Sequence, residues 1–291
     1  MNELAYASPS TLSEALELLA RGEARPLAGG TDLIVQLREG RRSTGRVVDL
    51  KRIPELIAIS EKPDGSFRIG AAASFGGMAA HAGLARTHPA IVESGRLVGS
   101  LQVQNRAGLG GNICNAAPSA DAVPAAICLG AQAEIAGPRG RRTEPVEGLF
   151  EGPGRIRLGP DEVLTAIMLP APAPSSAARY LRFTPRREMD IAVAGAGASI
   201  RLDGNGTIAD ARIALASVAP TPMRAVAAEK ALAGEKPTRA LFEEAGRIAA
   251  REARPISDTR GSGDYRRELV AVLTRRALTD CARALKVEIA P

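Results

Sequence analysis

The chain has 291 residues, of which 45% are hydrophobic, enough apolar material for two domains with separate cores and too much for a disordered protein. Its net charge of +6 is dispersed over separate pairs at Arg41-Arg42, Arg141-Arg142, Arg186-Arg187 and Arg275-Arg276, and five Phe, three Tyr and no Trp supply few base-stacking platforms, so no nucleic-acid partner is expected. The chain does not open on a basic segment followed by an apolar stretch, and no run approaches about eighteen apolar residues; this argues against export or a membrane span and for a cytoplasmic protein.

In chain order, Thr11 with Glu14 three residues on forms a capping box. Leu12, Ala15, Leu16, Leu18 and Leu19 then give a helix over 12–21, stopped by Gly22. Arg25-Pro26-Leu27-Ala28 reads as a short strand delivering Gly29-Gly30, and a regular element resumes over Asp32–Leu37. Val47–Leu50 is a buried strand, and Phe67–Ala71 is another after the Asp64-Gly65 turn. Residues 75–99 carry helical spacing, and the polar run from Gln102 to Arg106 leads into a second glycine loop at Gly108–Asn112. These elements make the first part α+β.

Ser119-Ala120-Asp121 precedes a helix carrying Val123, Ala126, Ile127 and Leu129. Asp121 is either its N-cap, worth roughly 1 kcal/mol, or a ligand contact, and the spacing favours the cap. The proline-rich stretch from Pro170 to Ala177 is a linker, which divides the chain into domains 1–174 and 175–291. Strands over Ile191–Leu202 and Thr207–Val218 flank Asp203-Gly204-Asn205-Gly206 as an antiparallel hairpin. Helices follow over 222–234, 238–252 with Thr238 as cap, and 264–285, the last with Tyr265, Leu269, Val272 and Leu273 on one face.

The two glycine segments carry the chemistry. Glycine lets the backbone approach a ligand and turn its N–H groups onto anionic oxygens, so two such segments suit a phosphate-bearing ligand. Rival sites are poorly supported. Gly195-Ala196-Gly197-Ala198-Ser199-Ile200 lacks the third glycine of a dinucleotide fingerprint and reads as a close-packed strand, and no lysine follows either glycine segment as a P-loop requires. Cys114, Cys128 and Cys281 are too few for iron–sulfur ligation and are expected to be structural thiols, while His81 and His88 lie in no hydrolytic signature.

Ala28-Gly29-Gly30-Thr31-Asp32-Leu33, Gln104-Asn105-Arg106 through Gly110-Gly111-Asn112, Pro118-Ser119-Ala120-Asp121, Asp161–Leu164, Ile167–Pro170 and Tyr180–Phe183 with Arg186–Ala192 together resemble the FAD-binding medium subunit of molybdenum hydroxylases. The family includes carbon monoxide dehydrogenase medium chains and the flavin segment of xanthine dehydrogenase. The resemblance implies a two-part FAD-binding domain of the PCMH type, followed by a smaller α+β domain with an antiparallel sheet and helices. It implies that Leu27, Ala28, Gly29, Gly30, Thr31, Asp32, Leu33 and Ile34, with Gly108, Leu109, Gly110, Gly111 and Asn112, surround the FAD diphosphate. It further implies that Asp121 meets an FAD hydroxyl, that Leu164 approaches the flavin, and that Arg182 stands where xanthine dehydrogenase carries a flavin-side lysine.

One departure is Gly108, where the family commonly has Ser or Thr; the lost hydrogen bond is worth about 0.5–1.5 kcal/mol. The implied partners are a molybdenum-cofactor large subunit and a 2Fe-2S small subunit in a dimer of heterotrimers, with electrons passing through FAD to NAD, a quinone or oxygen. A self-sufficient flavoprotein oxidase and a non-catalytic scaffold are the rival readings. The short segment after the linker disfavours the first, and Gly108 is the only hint toward the second.

Overall fold

The computed structural model describes residues 4–186 and 189–289; Arg187 and Glu188 of the family-like segment lie outside the described residues. The first unit comprises β1 (Ala5–Ala7), α1 (Leu12–Ala20), β2 (Ala24–Leu27), α2 (Leu33–Arg38) and β3 (Arg46–Asp49), with the strands parallel in the order β1-β3-β2. Thr11 caps α1 by accepting the Glu14 N–H at 3.3 Å, and the Glu14 carboxylate accepts the Ser10 N–H at 2.9 Å. The box thus closes on Ser10 instead of on Thr11. Leu12, Ala15 and Leu19 bury one face of the helix in a cluster with Val48, Leu50, Ile53 and Leu56.

The next unit is built on a five-stranded antiparallel sheet. It contains α3 (Pro54–Ile57), β4 (Ile59–Glu61) and β5 (Phe67–Gly70), then helices α4 (Phe75–Ala80), α5 (Ala82–Thr87), α6 (Pro89–Arg96), α7 (Leu101–Gln104), α8 (Leu109–Asn115) and α9 (Ala122–Cys128). The hairpins β6 (Gln132–Gly137)/β7 (Gly140–Pro145) and β8 (Phe150–Gly152)/β9 (Arg155–Ile156) and the long β10 (Val163–Leu169) complete it, in the sheet order β4-β5-β10-β6-β7. The helical spacing over 75–99 resolves into three short helices. The chain breaks at His81, whose Nδ1 accepts the Leu84 N–H at 3.2 Å as a fresh cap, and again before Pro89, which lacks an N–H. The second glycine segment is also not a loop: Gly110 and Gly111 lie in the first turn of α8, with Gly108 as its N-cap.

Pro170–Pro174 carries no regular structure, as the repeated prolines require, and β11 (Ser176–Phe183) opens the last unit. With β12 (Ala194–Leu202), β13 (Ile208–Ala216) and β14 (Met223–Arg224) it forms an antiparallel sheet in chain order. The β12–β13 turn is held by Asp203, whose carboxylate accepts the N–H groups of Asn205 and Thr207 at 2.9 and 2.8 Å. α10 (Val226–Leu232), α11 (Arg239–Glu252) and α12 (Gly263–Ala284) pack on it, with Thr238 and Ser262 as the caps of α11 and α12. The buried face of α12 runs through Arg266, Val270, Leu273, Ala277 and Cys281, so of the expected face only Leu273 is buried. The displacement comes from Arg266, whose guanidinium is drawn inward by the carbonyls of Val193 and Ser217 and by Asp258.

α9 joins the two sheets. Gly197 lets it lie against β12: a Cβ there would stand 3.1 Å from both Cys128 Sγ and the Pro124 carbonyl. Ser199 Oγ donates to the Cys128 carbonyl at 3.0 Å, and the Ser217 N–H to the Pro118 carbonyl at 2.7 Å. Among the described residues the three cysteines are free, and burial pushes the Cys114 and Cys281 thiols up to about 12.

Candidate functional site

Both glycine segments face one cleft of about 210 Å³. Leu27–Leu33 forms one wall, while Gly108, Gly110, Gly111, Asn112, Cys114 and Asn115 form the other. Ala71, Phe75, Val98, Val163 and Leu164 supply an apolar floor. Gln36 Nε2 donates to Asn115 Oδ1 across the walls at 2.9 Å. A bulge in β10 between Leu164 and Ala166 shifts the register where Leu164 meets the cleft.

The glycines serve different physical ends. A Cβ on Gly29 would overlap the Arg106 carbonyl, one on Gly110 the Ala71 carbonyl, and one on Gly108 the Ala73 carbonyl, so at these points backbone packs on backbone. The Gly108 result accounts for the departure from the family pattern, since no serine or threonine fits that backbone. Gly30 turns the chain with φ of +77°, in the left-handed region that favours glycine. A Cβ on Gly111 would meet nothing within 4 Å, so its bare Cα faces the cleft.

Among the described residues, the N–H groups of Gly29, Gly30, Thr31, Asp32 and Leu33 on one wall and of Gly110 and Gly111 on the other donate to no protein acceptor. Opposed free donors of this kind hold an anion. Arg25 and Arg42 also line the cleft, and neither has a carboxylate partner among the described residues. Arg42 donates to the Gly154 carbonyl at 3.1 Å and Arg25 to the Ser43 carbonyl at 3.4 Å. Burial and the neighbouring Arg42 charge both lower the Arg25 pKa, the signature of positive charge short of a counter-ion. Burial raises the Asp32 carboxyl, with Arg41 opposing.

Of the expected site residues, Leu27–Leu33, Gly108, Gly110–Asn112 and Leu164 line this cleft, and Ile34, Leu109, Asp121 and Arg182 do not. Leu109 is fully buried in the core beside Ile113. Asp121 occupies the N-cap position of α9 but makes no capping bond. Its carboxylate instead accepts the Tyr180 hydroxyl at 2.8 Å and the Arg182 guanidinium at 2.5 Å, both from β11. Asn112 takes over at the start of α9, its Oδ1 accepting the Ala122 N–H at 3.3 Å. Burial pushes the Asp121 carboxyl up against the pull of Arg182 and Tyr180.

Arg25, Arg42 and Gln36 escape the sequence reading. Their only signal is position beside the first glycine segment, and Arg42 reads there as one of several dispersed basic residues. His81 and His88 are structural. His88 is buried, with its ring nitrogens at 2.9 Å from Thr87 Oγ1 and the Pro170 carbonyl.

The fold and cleft define a two-domain α+β protein built to hold a phosphate-bearing ligand between glycine walls. Residues 2–172 match the family model for the FAD binding domain in molybdopterin dehydrogenase, and residues 179–281 match that for the CO dehydrogenase flavoprotein C-terminal domain. The chain is 33% identical over 281 residues to a xanthine dehydrogenase FAD-binding subunit of Escherichia coli O157:H7, covering 96% of each. It is 32% identical over 275 residues to a carbon monoxide dehydrogenase medium chain of Hydrogenophaga pseudoflava, covering 94% of this chain and 95% of that one. Among solved structures, carbon monoxide dehydrogenase from Hydrogenophaga pseudoflava superposes with a TM-score of 0.92 at 33% identity, covering 97% of this chain and 98% of the other. Quinoline 2-oxidoreductase from Pseudomonas putida 86 gives 0.90 at 28% identity. The chain belongs to the FAD-binding medium-subunit family of the molybdenum hydroxylases.

Proposed function

We propose that this chain binds one FAD in the glycine-walled cleft and acts as the electron-transfer subunit of a molybdenum hydroxylase, an oxidoreductase. The observation that carries the reading is the set of free N–H groups on two opposed walls, Gly29–Leu33 and Gly110–Gly111, above an apolar floor. The residues fit the cofactor: the donors and the Arg25 and Arg42 charges suit a diphosphate, and Val98, Val163 and Leu164 suit an aromatic ring. When bound, FAD supplies the redox chemistry. The chain's own part is to bind, to orient and to keep water from the floor.

Leu27–Leu33, Gly108 and Gly110–Asn112 are assigned to the diphosphate and adjoining sugar, and Leu164 to the flavin face. Asp121 is assigned to an FAD hydroxyl and Arg182 to the flavin side, the two standing outside the cleft lining as an ion pair beside the Ala122 N–H that Asn112 accepts. Because Asp121 already balances the Arg182 charge, this pair orients more than it attracts. The proposed domains are 1–174 and 175–291. The proposed setting is cytoplasmic, with a molybdenum large subunit and a 2Fe-2S small subunit in a dimer of heterotrimers, and NAD, a quinone or oxygen as acceptor.

The test is to purify the chain with added FAD, remove free ligand, record the visible absorption spectrum and identify the released cofactor by mass. Retained FAD supports the reading. If no flavin is held, alone or with the partner subunits, the reading fails.

A further inference from the structure

The first glycine wall is held from behind by a relay that does not line the cleft. Lys51 Nζ donates to the Ala28 carbonyl at 2.7 Å and to Asp49 Oδ1 at 2.7 Å, and Asp49 Oδ1 also accepts the Lys51 N–H at 3.0 Å. The other Asp49 oxygen accepts the Tyr6 hydroxyl at 2.7 Å. Asp49 is itself buried at the end of β3, in register with Leu27 at the end of β2, so the relay stands on the parallel sheet.

We infer that Lys51 is the positioning residue of the FAD site. By holding the Ala28 carbonyl, it aims the Gly29 N–H into the cleft. In a planar trans peptide the C=O of one residue and the N–H of the next point in opposite directions, so fixing the Ala28 oxygen on one side fixes the Gly29 donor on the other. A glycine pair has little conformational preference of its own, so without an anchor its donors sample many directions and a bound anion must order them. The backbone overlap that a Cβ on Gly29 would make with Arg106 leaves that residue one close-packed path, and Lys51 sets the peptide plane within it. Lys51 therefore acts on the diphosphate through the backbone and not through its own charge.

This inference rests on the FAD reading, and its test separates the two. FAD affinity of the full chain is measured by flavin fluorescence for wild type, Lys51→Met and Lys51→Arg across a salt series, and backbone order parameters for Gly29 and Gly30 are measured without cofactor. Lys51→Met is expected to weaken FAD binding about tenfold, the loss of roughly one hydrogen bond's worth of preorganisation. Its salt dependence should remain that of wild type, because no phosphate contact is removed. Lys51→Arg should recover most of the loss. The Gly29 order parameter should fall from about 0.85 to below about 0.6 in Lys51→Met.

Unchanged FAD affinity or an unchanged Gly29 order parameter in Lys51→Met overturns the inference. So does a flattened salt dependence, which would make Lys51 a direct phosphate contact. Wild type that binds no flavin, with Gly29 still loosened by Lys51→Met, would sink the FAD reading and leave the relay standing.

Discussion

Two neighbouring glycines of α8 separate packing from binding at the scale of a single residue. A methyl at Gly110 runs into the Ala71 carbonyl, so Gly110→Ala is expected to destabilise the protein by about 1–3 kcal/mol in urea titration. A methyl at Gly111 meets nothing and projects into the cleft, so Gly111→Ala should leave apo stability unchanged or raised by up to about 1 kcal/mol from helix propensity while weakening FAD binding. Equal effects of the two on stability would contradict the geometry. Both glycines stand out in the sequence, but their division of labour does not, because it depends on the Ala71 carbonyl of a distant segment.

His88 offers a test in pH at the same scale. Burial depresses its pKa more than the hydrogen bond to Pro170 raises it. The unfolded chain therefore takes up the proton more readily, and stability is lost as pH falls below about 6.5. The melting temperature of wild type should drop across that range, and His88→Gln should flatten the drop. A wild-type curve that rises on acidification would reverse the sign and discard the argument.

At the scale of elements, the strongest local signals hold. Thr11, Thr238 and the Asp203-Gly204-Asn205-Gly206 turn lie where their hydrogen bonds are needed, and the helices and hairpin they introduce form. β6 and β7 escape the sequence reading although Gly137-Pro138-Arg139-Gly140 joins them, and β11 carries no such punctuation. Gln132–Gly137 and Gly140–Pro145 mix charge and small residues, and β11 begins inside the stretch that reads as linker, so tertiary pairing decides them. β11 matters most because it brings Tyr180 and Arg182 to Asp121 across about sixty residues of chain.

That ion pair is a prediction at this scale. The Arg182 and Asp121 side chains are 7% and 9% exposed, so removing one partner leaves a buried charge alone. Asp121→Ala should cost about 3–5 kcal/mol by chemical denaturation, and the double change Asp121→Leu with Arg182→Met should recover much of it. A loss below about 1 kcal/mol for Asp121→Ala would mean that water reaches the pair after all.

For the molecule as a whole, cofactor binding and folding are linked. A ligand at a hundred times its dissociation constant adds about 2.7 kcal/mol to a protein that binds it only when folded, which in a chain of this size raises the melting temperature by roughly 4 °C. A thermal scan with and without FAD should show that rise, and Gly111→Ala should show less of it at the same FAD concentration. A wild-type scan that FAD leaves unmoved would count against the cofactor site.

The sequence by itself determined what local chemistry can determine. The paired glycine segments, the helix caps and the proline break between two α+β parts rest on backbone preferences and spacings that act within a few residues, and the family likeness rests on the resemblance of motifs spread along the chain. The tertiary structure alone decided that both segments face one cleft, that the second is a helix N-terminus, and that Arg25 and Arg42 join it with no carboxylate partner among the described residues. It also decided that Asp121 turns from cap to ion pair. Each of these depends on contacts between segments far apart in the chain, whose energies exceed local preferences once a core has formed around them.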